Sequence, residues 1–247
     1  MMEVFSPTQG SEPTAQRYEV LGQTVVMPCR VRAAKAANVV YSVPAEAARS
    51  FIGPALEPLE HERGQSQLVL GFVDYTDNDL GPYREVMVVF FVRPRVHSAV
   101  QPGTFIYRLP VDGEFTCAAG RQIWGFPKTV ERIDLDYTAD QVCCRLFLDG
   151  EFAVGLTLPR TGGMEMPEDE SVMNTFTYHP DLCVVEFSSG MRGARMFPAG
   201  AGVELELGSH QLATELRTLG LPSTPLFATW AEHFFGAFGP PKRLPQL

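Results

Sequence analysis

Nine residues, Gly120-Arg121-Gln122-Ile123-Trp124-Gly125-Phe126-Pro127-Lys128, set a lysine at the end of a run containing Ile, Trp, Phe and Pro. Glycines in such a run let the backbone turn tightly. Apolar neighbours would strip water from the ammonium and lower its pKa from about 10.4 towards neutrality. An amine kept uncharged can attack a carbonyl and form a Schiff base. Lysine is also scarce, since Lys35, Lys128 and Lys242 are the only three among 20 basic residues. The other 17 are arginines, whose guanidinium is always protonated and is no nucleophile. On the residues alone, the same nine read more readily as a Phe-Pro turn that presents Lys128 to solvent while Trp124 and Phe126 fill the core.

Other chemistries find little support. The histidines His61, His97, His179, His210 and His233 are scattered, with no His-x-x-x-His, so no metal site is expected. Asp74-Tyr75-Thr76-Asp77-Asn78-Asp79 offers oxygen ligands but no downstream glutamate at calcium-loop spacing, and reads as a solvated turn. Ser188-Ser189-Gly190 lacks the preceding glycine of a nucleophile elbow. Cys29, Cys117, Cys143, Cys144 and Cys183 include no Cys-x-x-Cys and mostly have apolar neighbours. They read as buried thiols in a reducing compartment, which points to the cytoplasm.

The elements that must position the lysine are mostly short strands. Val39–Val43, Gln67–Val73, Glu85–Arg93 and Thr104–Leu109 are rich in β-branched or aromatic residues. Gln141–Leu148 and Glu151–Leu158 alternate in polarity across Asp149-Gly150, the strongest short-range hairpin signal. Ile133, Leu135 and Tyr137 precede that hairpin with the same period, and Val203, Leu205 and Leu207 repeat it later. Helices are expected at Pro44–Phe51, at Ser209–Leu219 behind a capping serine, and at Thr224–Phe238. Met1–Gln16 reads as a loose terminus, and Thr161–Ser171 as an acidic surface loop.

Composition excludes whole classes of function. The chain of 247 residues is 45% apolar and 20% charged, which suits one folded domain rather than a disordered or fibrous chain. The longest apolar run, Val86–Val92, is too short to cross a bilayer, and no signal peptide is visible. A net charge of −9 disfavours phosphate backbones, so neither nucleic acid nor membrane is an expected partner.

Gly120–Lys128 resembles the signature of the acetoacetate decarboxylase family, in which a strand-turn segment carries the Schiff-base lysine after an aromatic-Pro pair. Leu80-Gly81-Pro82-Tyr83-Arg84-Glu85, followed by an apolar strand, resembles a second family motif, whose pocket glutamate matches Glu85. Val39–Tyr41, the helix after it and Leu56-Glu57-Pro58-Leu59 keep the family's N-terminal order. The likeness spans roughly residues 30 to 160, with a weaker match to the C-terminus.

It implies a single domain over residues 1–247, mainly β (α+β), built as a curled antiparallel β-barrel with a few peripheral helices and commonly assembled as a homo-oligomer. It further implies that Lys128 and Glu85 are catalytic, and that Arg32 holds a substrate carboxylate. Tyr83 would hydrogen-bond Glu85, and Gln122 and Trp124 would line the cavity. Core packing is an equally open role for Tyr83, Gln122 and Trp124.

The implied partner is a small oxo-acid, with a covalent Schiff base at Lys128 and neither cofactor nor metal. The implied reaction is decarboxylation of a β-keto acid through a Lys128 iminium. The alternatives are a Schiff-base aldolase, dehydratase or cyclase on a larger oxo-acid, or a non-catalytic barrel that binds an apolar ligand. Two departures bear on this. Thr129 stands where the family's decarboxylases carry a second lysine, and no glutamate occurs near Leu70–Gly71. Desolvation alone is therefore expected to depress the Lys128 pKa.

Overall fold

The computed structural model describes residues 16–96 and 100–245. The terminus expected to be loose, Met1–Gln16, lies outside the described residues except for Gln16. The main strands of the first half are β1 (Cys29–Pro44), β2 (Gln65–Asn78), β3 (Tyr83–Pro94), β4 (Gly103–Val111), β5 (Lys128–Val130) and β6 (Arg132–Tyr137). Those of the second half are β7 (Gln141–Leu148), β8 (Glu151–Pro159), β9 (Glu170–Tyr178), β10 (Leu182–Arg192), β11 (Glu204–Leu207) and β12 (Phe227–Phe238). Helices are α1 (Ala45–Ala48), α2 (Glu114–Ala119) and α3 (Gln211–Thr218).

Among the described residues, seven strands close a barrel in the order β12-β1-β2-β3-β4-β9-β10, and β10 returns to β12. Every ladder of this ring is antiparallel except β4–β9, which is parallel over Gly103–Phe105. The other end of β4 pairs in parallel with β5, Leu109 facing Lys128 and Val111 facing Val130. One barrel strand is thus shared between the ring and the short strand that begins with the lysine.

A second antiparallel sheet, β6-β7-β8-β11, covers the outer face of β1–β3 together with α3. Val39, Tyr41, Leu68, Leu70, Val88 and Phe90 point out into that layer, and Ile133, Leu146, Leu156 and Leu212 meet them. The alternate residues Val40, Val69 and Val89 point into the barrel. A strand buried on both faces has no polar side to show, which explains the unbroken apolar run Val86–Val92. The Asp149-Gly150 hairpin forms as expected, both residues with positive φ (51° and 81°) as a tight two-residue turn demands.

Three expectations about elements are corrected. Thr224–Phe238 is no helix, because Phe227–Phe238 forms β12, held on both edges by β1 and β10. Its Ala228 and Trp230 face the outer core, and tertiary pairing overrides the local pattern. Helix α3 is capped by His210 rather than Ser209, the ring Nδ1 accepting from the Leu212 amide at 3.1 Å. Pro44–Phe51 begins one residue later, as the single turn α1 followed by a 3-10 turn, Arg49–Phe51. Thr161–Ser171 is largely exposed, with a two-residue strand at Met164–Glu165 and the start of β9 at Glu170. All five cysteines are free thiols, four of them buried. Among the described residues no helix is long and apolar enough to cross a membrane.

Candidate active site

Strand β3 brings in Tyr83 and Glu85, two residues apart and so on one face. Its neighbours β2 and β4 place Tyr75 opposite Tyr83 and Val111 opposite Glu85. Lys128 opens β5 on the far side of β4, so two strand spacings, roughly 9–10 Å, separate its backbone from that of Glu85. Only a long side chain closes that gap.

The segment that delivers Lys128 is unusual. Helix α2 runs into a π-helical turn, Gly120–Trp124, where a strand-turn was expected. Such turns carry one extra residue and recur at functional sites. Gly125 ends the turn at φ 70°, and a Cβ there would lie 2.7 Å from the Tyr178 carbonyl oxygen. Gly120 matters more, because a Cβ on it would come within 2.5 Å of Lys128 Cδ. The lysine stem therefore crosses the helix over a bare backbone. Beneath the turn Trp124 stacks on Phe126 with ring centres 5.7 Å apart, and its Nε1 donates to the Gly239 carbonyl at 2.9 Å.

The Lys128 side chain points inward, only 4% exposed, and its Nζ donates to three oxygens. These are Glu85 Oε2 at 2.8 Å, Thr116 Oγ1 at 3.0 Å and the Tyr83 hydroxyl at 3.4 Å. The other carboxylate oxygen of Glu85 accepts from the Tyr75 hydroxyl at 3.2 Å. Tyr75 and Tyr83 stack with ring centres 4.4 Å apart. Thr116, Tyr75, Tyr83 and Glu85 are all buried. Three donors on an ammonium with three acceptors in reach satisfy the charged form completely.

That geometry reverses the expected protonation state. Burial is the largest influence and favours the neutral amine, but the Glu85 carboxylate and the Tyr83 oxygen together outweigh it. Lys128 is held protonated, above the ordinary lysine range. Burial also raises both phenols, Tyr83 to about 12 and Tyr75 well above its usual value, so both stay neutral hydrogen-bond donors. The resting site is an ion pair shielded from water, and the nearest base to the ammonium is Glu85.

Of the residues picked from sequence, the fold gathers Lys128, Glu85 and Tyr83, but the Tyr83 hydroxyl accepts from Lys128, and the phenol that hydrogen-bonds Glu85 is Tyr75 instead. The fold does not gather the other three. The Arg32 guanidinium is half exposed and engaged by Asp77 at 2.8 Å and by Asp79. Gln122 is exposed, and Trp124 is buried in packing under the π-turn. Thr116 and Tyr75 were missed. A register argument would have found Tyr75, since a turn through Asn78–Gly81 sets it against Tyr83. Thr116 carries no comparable signal. Among the described residues no three His, Cys, Asp or Glu side chains converge as metal ligands.

Comparison with known proteins bears on the family and the fold. The family model of acetoacetate decarboxylase (ADC) matches residues 11–231, well beyond the stretch where the motifs stand out. No curated protein matches the sequence. Among solved structures, acetoacetate decarboxylase from Legionella pneumophila subsp. pneumophila str. Philadelphia 1 superposes with TM-score 0.69 at 18% identity, covering 88% of this chain and 87% of that one. The enduracididine biosynthesis enzyme MppR complexed with pyruvate gives 0.60 at 15%, covering 88% and 91%. An acetoacetate decarboxylase-like enzyme from Sphingomonas wittichii RW1 gives 0.59 at 17%, covering 91% and 96%.

Proposed function

The chain belongs to the acetoacetate decarboxylase family, and on that premise we propose that it forms a Schiff base between Lys128 and the ketone of an oxo-acid, as a carbon–carbon lyase. The observation that carries the reading is the buried contact of 2.8 Å between Lys128 Nζ and Glu85. As the carbonyl approaches, the ammonium passes a proton to Glu85 and the freed amine adds to the carbonyl carbon. Glu85 then returns the proton to the carbinolamine hydroxyl, water leaves, and the iminium forms. With a β-keto acid, the bond from the α-carbon to the carboxylate breaks and its electron pair moves into the iminium, releasing CO₂ and an enamine. Protonation of the enamine carbon and addition of water free the ketone and restore Lys128. Tyr75 and Thr116 hold Glu85 and Lys128 in line through these transfers.

A second reading stays within the same chemistry. Arg32 is committed to Asp77 and Asp79, and Thr129 is no lysine, so two of the groups expected to serve a short β-keto acid are absent from the site. That favours aldol or dehydration chemistry on a larger oxo-acid, where the same iminium acts as electron sink. MppR, similar in fold, has been crystallised with the condensation product of pyruvate and imidazole 4-carboxaldehyde.

Borohydride reduction in the presence of acetoacetate or pyruvate, followed by peptide mapping, tests both readings. A reduced adduct is expected on Lys128, and gas evolution with acetoacetate separates decarboxylation from the second reading. An unmodified Lys128 across a panel of oxo-acids would sink the iminium altogether.

A further inference from the structure

The side chains packed against Tyr75 and Tyr83 bear on what the substrate carries beyond its carbonyl. Met87 lies two residues along β3 from Glu85 and on the same face. It is partly buried and packs against all three apolar groups of the barrel interior, including the one that holds Tyr75 and Tyr83. Across the β2–β3 ladder its partner is Gly71. A Cβ on Gly71 would lie 3.3 Å from Met87 Cε and 2.9 Å from Asn38 Oδ1, so the thioether occupies space a larger residue would claim.

Strand β12 adds aromatic side chains to the same group. Phe234 and Phe238 are partly buried and pack against the same Tyr75–Tyr83 group. Phe187 stacks on Phe238 with ring centres 4.1 Å apart. Each of these four side chains is only partly buried. Among the described residues, the ion-pair and hydrogen-bond partners of Glu85 and Tyr83 include no cation other than Lys128.

We infer that the substrate bears an aromatic or comparably broad apolar group on the carbon skeleton next to its ketone. A phenyl ring set against a thioether and two phenyl rings gains both area burial and sulfur–aromatic contact. A second acidic group placed there would be desolvated without a partner. The inference rests on the Lys128 iminium proposed above and adds the side chain that the iminium carries.

Matched pairs of oxo-acids separate the two claims. Pyruvate is compared with phenylpyruvate, and acetoacetate with 3-oxo-4-phenylbutanoate, by borohydride reduction and mass spectrometry of Lys128. The phenyl member of each pair is expected to reach half-labelling at a concentration lower by about tenfold or more. Phe234→Leu and Met87→Ala, each checked for an unchanged melting transition, should shrink that ratio. Equal half-labelling within both pairs overturns the inference and leaves the iminium standing. Absence of labelling with all four acids overturns the iminium itself, and the inference with it.

Discussion

Two lysines of this chain sit in nearly the same company. Lys128 lies 2.8 Å from a glutamate and 4.7 Å from the ring centre of Tyr83. Lys35 lies 3.8 Å from Glu232 and 4.6 Å from the ring centre of Tyr137. Residue types therefore do not separate them, but surroundings do. The Lys35 side chain is 33% exposed against 4% for Lys128, so water screens one pair and not the other.

The acids differ as well. Glu232 accepts two bonds from Arg160, at 2.6 and 3.0 Å, and one from Trp230 at 3.0 Å. Burial alone would raise its pKa, yet these hydrogen bonds outweigh burial and hold the carboxyl below its ordinary range. An acid already shared with a permanently charged guanidinium is a poor acceptor for a lysine proton. Glu85 answers to one cation and one neutral phenol. A reactive amine thus needs an acid that is free to change state, beyond a glutamate merely close by.

The comparison breaks or sharpens under substitution, most strongly at the amines. Lys128→Ala should abolish borohydride labelling and lower turnover by at least about 10⁴-fold, as loss of a nucleophile does. Lys35→Ala should change labelling by no more than about twofold, because an exposed ion pair is worth little. A reduced adduct mapped to Lys35 would erase the distinction.

Next comes Glu85→Gln. Removing the proton acceptor should slow turnover by about 10²- to 10⁴-fold. With the carboxylate gone, burial becomes the dominant influence on Lys128, so the pH profile of labelling should move to lower pH. A profile that stays in place would mean that Glu85 does not hold the ammonium's proton.

A smaller effect is expected at Gly120. In Gly120→Ala the new methyl meets the lysine stem at 2.5 Å, and overpacking of this kind costs about 1–3 kcal/mol. Labelling should drop by about tenfold while circular dichroism stays native. Unimpaired labelling would show that the stem has another path.

The smallest is a pH effect on stability. Lys128, Tyr75 and Tyr83 hold their protons more tightly folded than unfolded. Their contribution is complete below their ordinary values near pH 10 and is lost as pH rises through the folded values. Unfolding free energies from urea titrations between pH 8 and 11 should fall by about 1 kcal/mol per group, and Lys128→Met should flatten the slope.

Much of the site was legible in the residues themselves. Lys128 stood out by its apolar approach and the scarcity of lysine, whereas Glu85 and Tyr83 stood out only through the resemblance of Leu80–Glu85 to a family motif. The hairpin at Asp149-Gly150 was readable because its turn chemistry is local. What escaped depends on partners distant in the chain. Phe227–Phe238 has aromatics and a glycine that fit either state until β1 and β10 flank it. The protonation of Lys128 follows from an acid 43 residues upstream, and no local desolvation argument contains it. Arg32 looked available for a carboxylate because Asp77 and Asp79 meet it only through the β1–β2 ladder.

The sharing of β4 has a mechanical consequence. Glu85 is indexed to Val111 on one edge of that strand and Lys128 to Leu109 on the other, so acid and amine take their positions from a single datum. Errors elsewhere around the ring do not accumulate between them. The spacing of the two backbones thus depends on β4 and the three docked residues of β5, and the crossover Asp112–Pro127 is left to supply the Thr116 hydroxyl and the bare Gly120 backbone along the lysine stem.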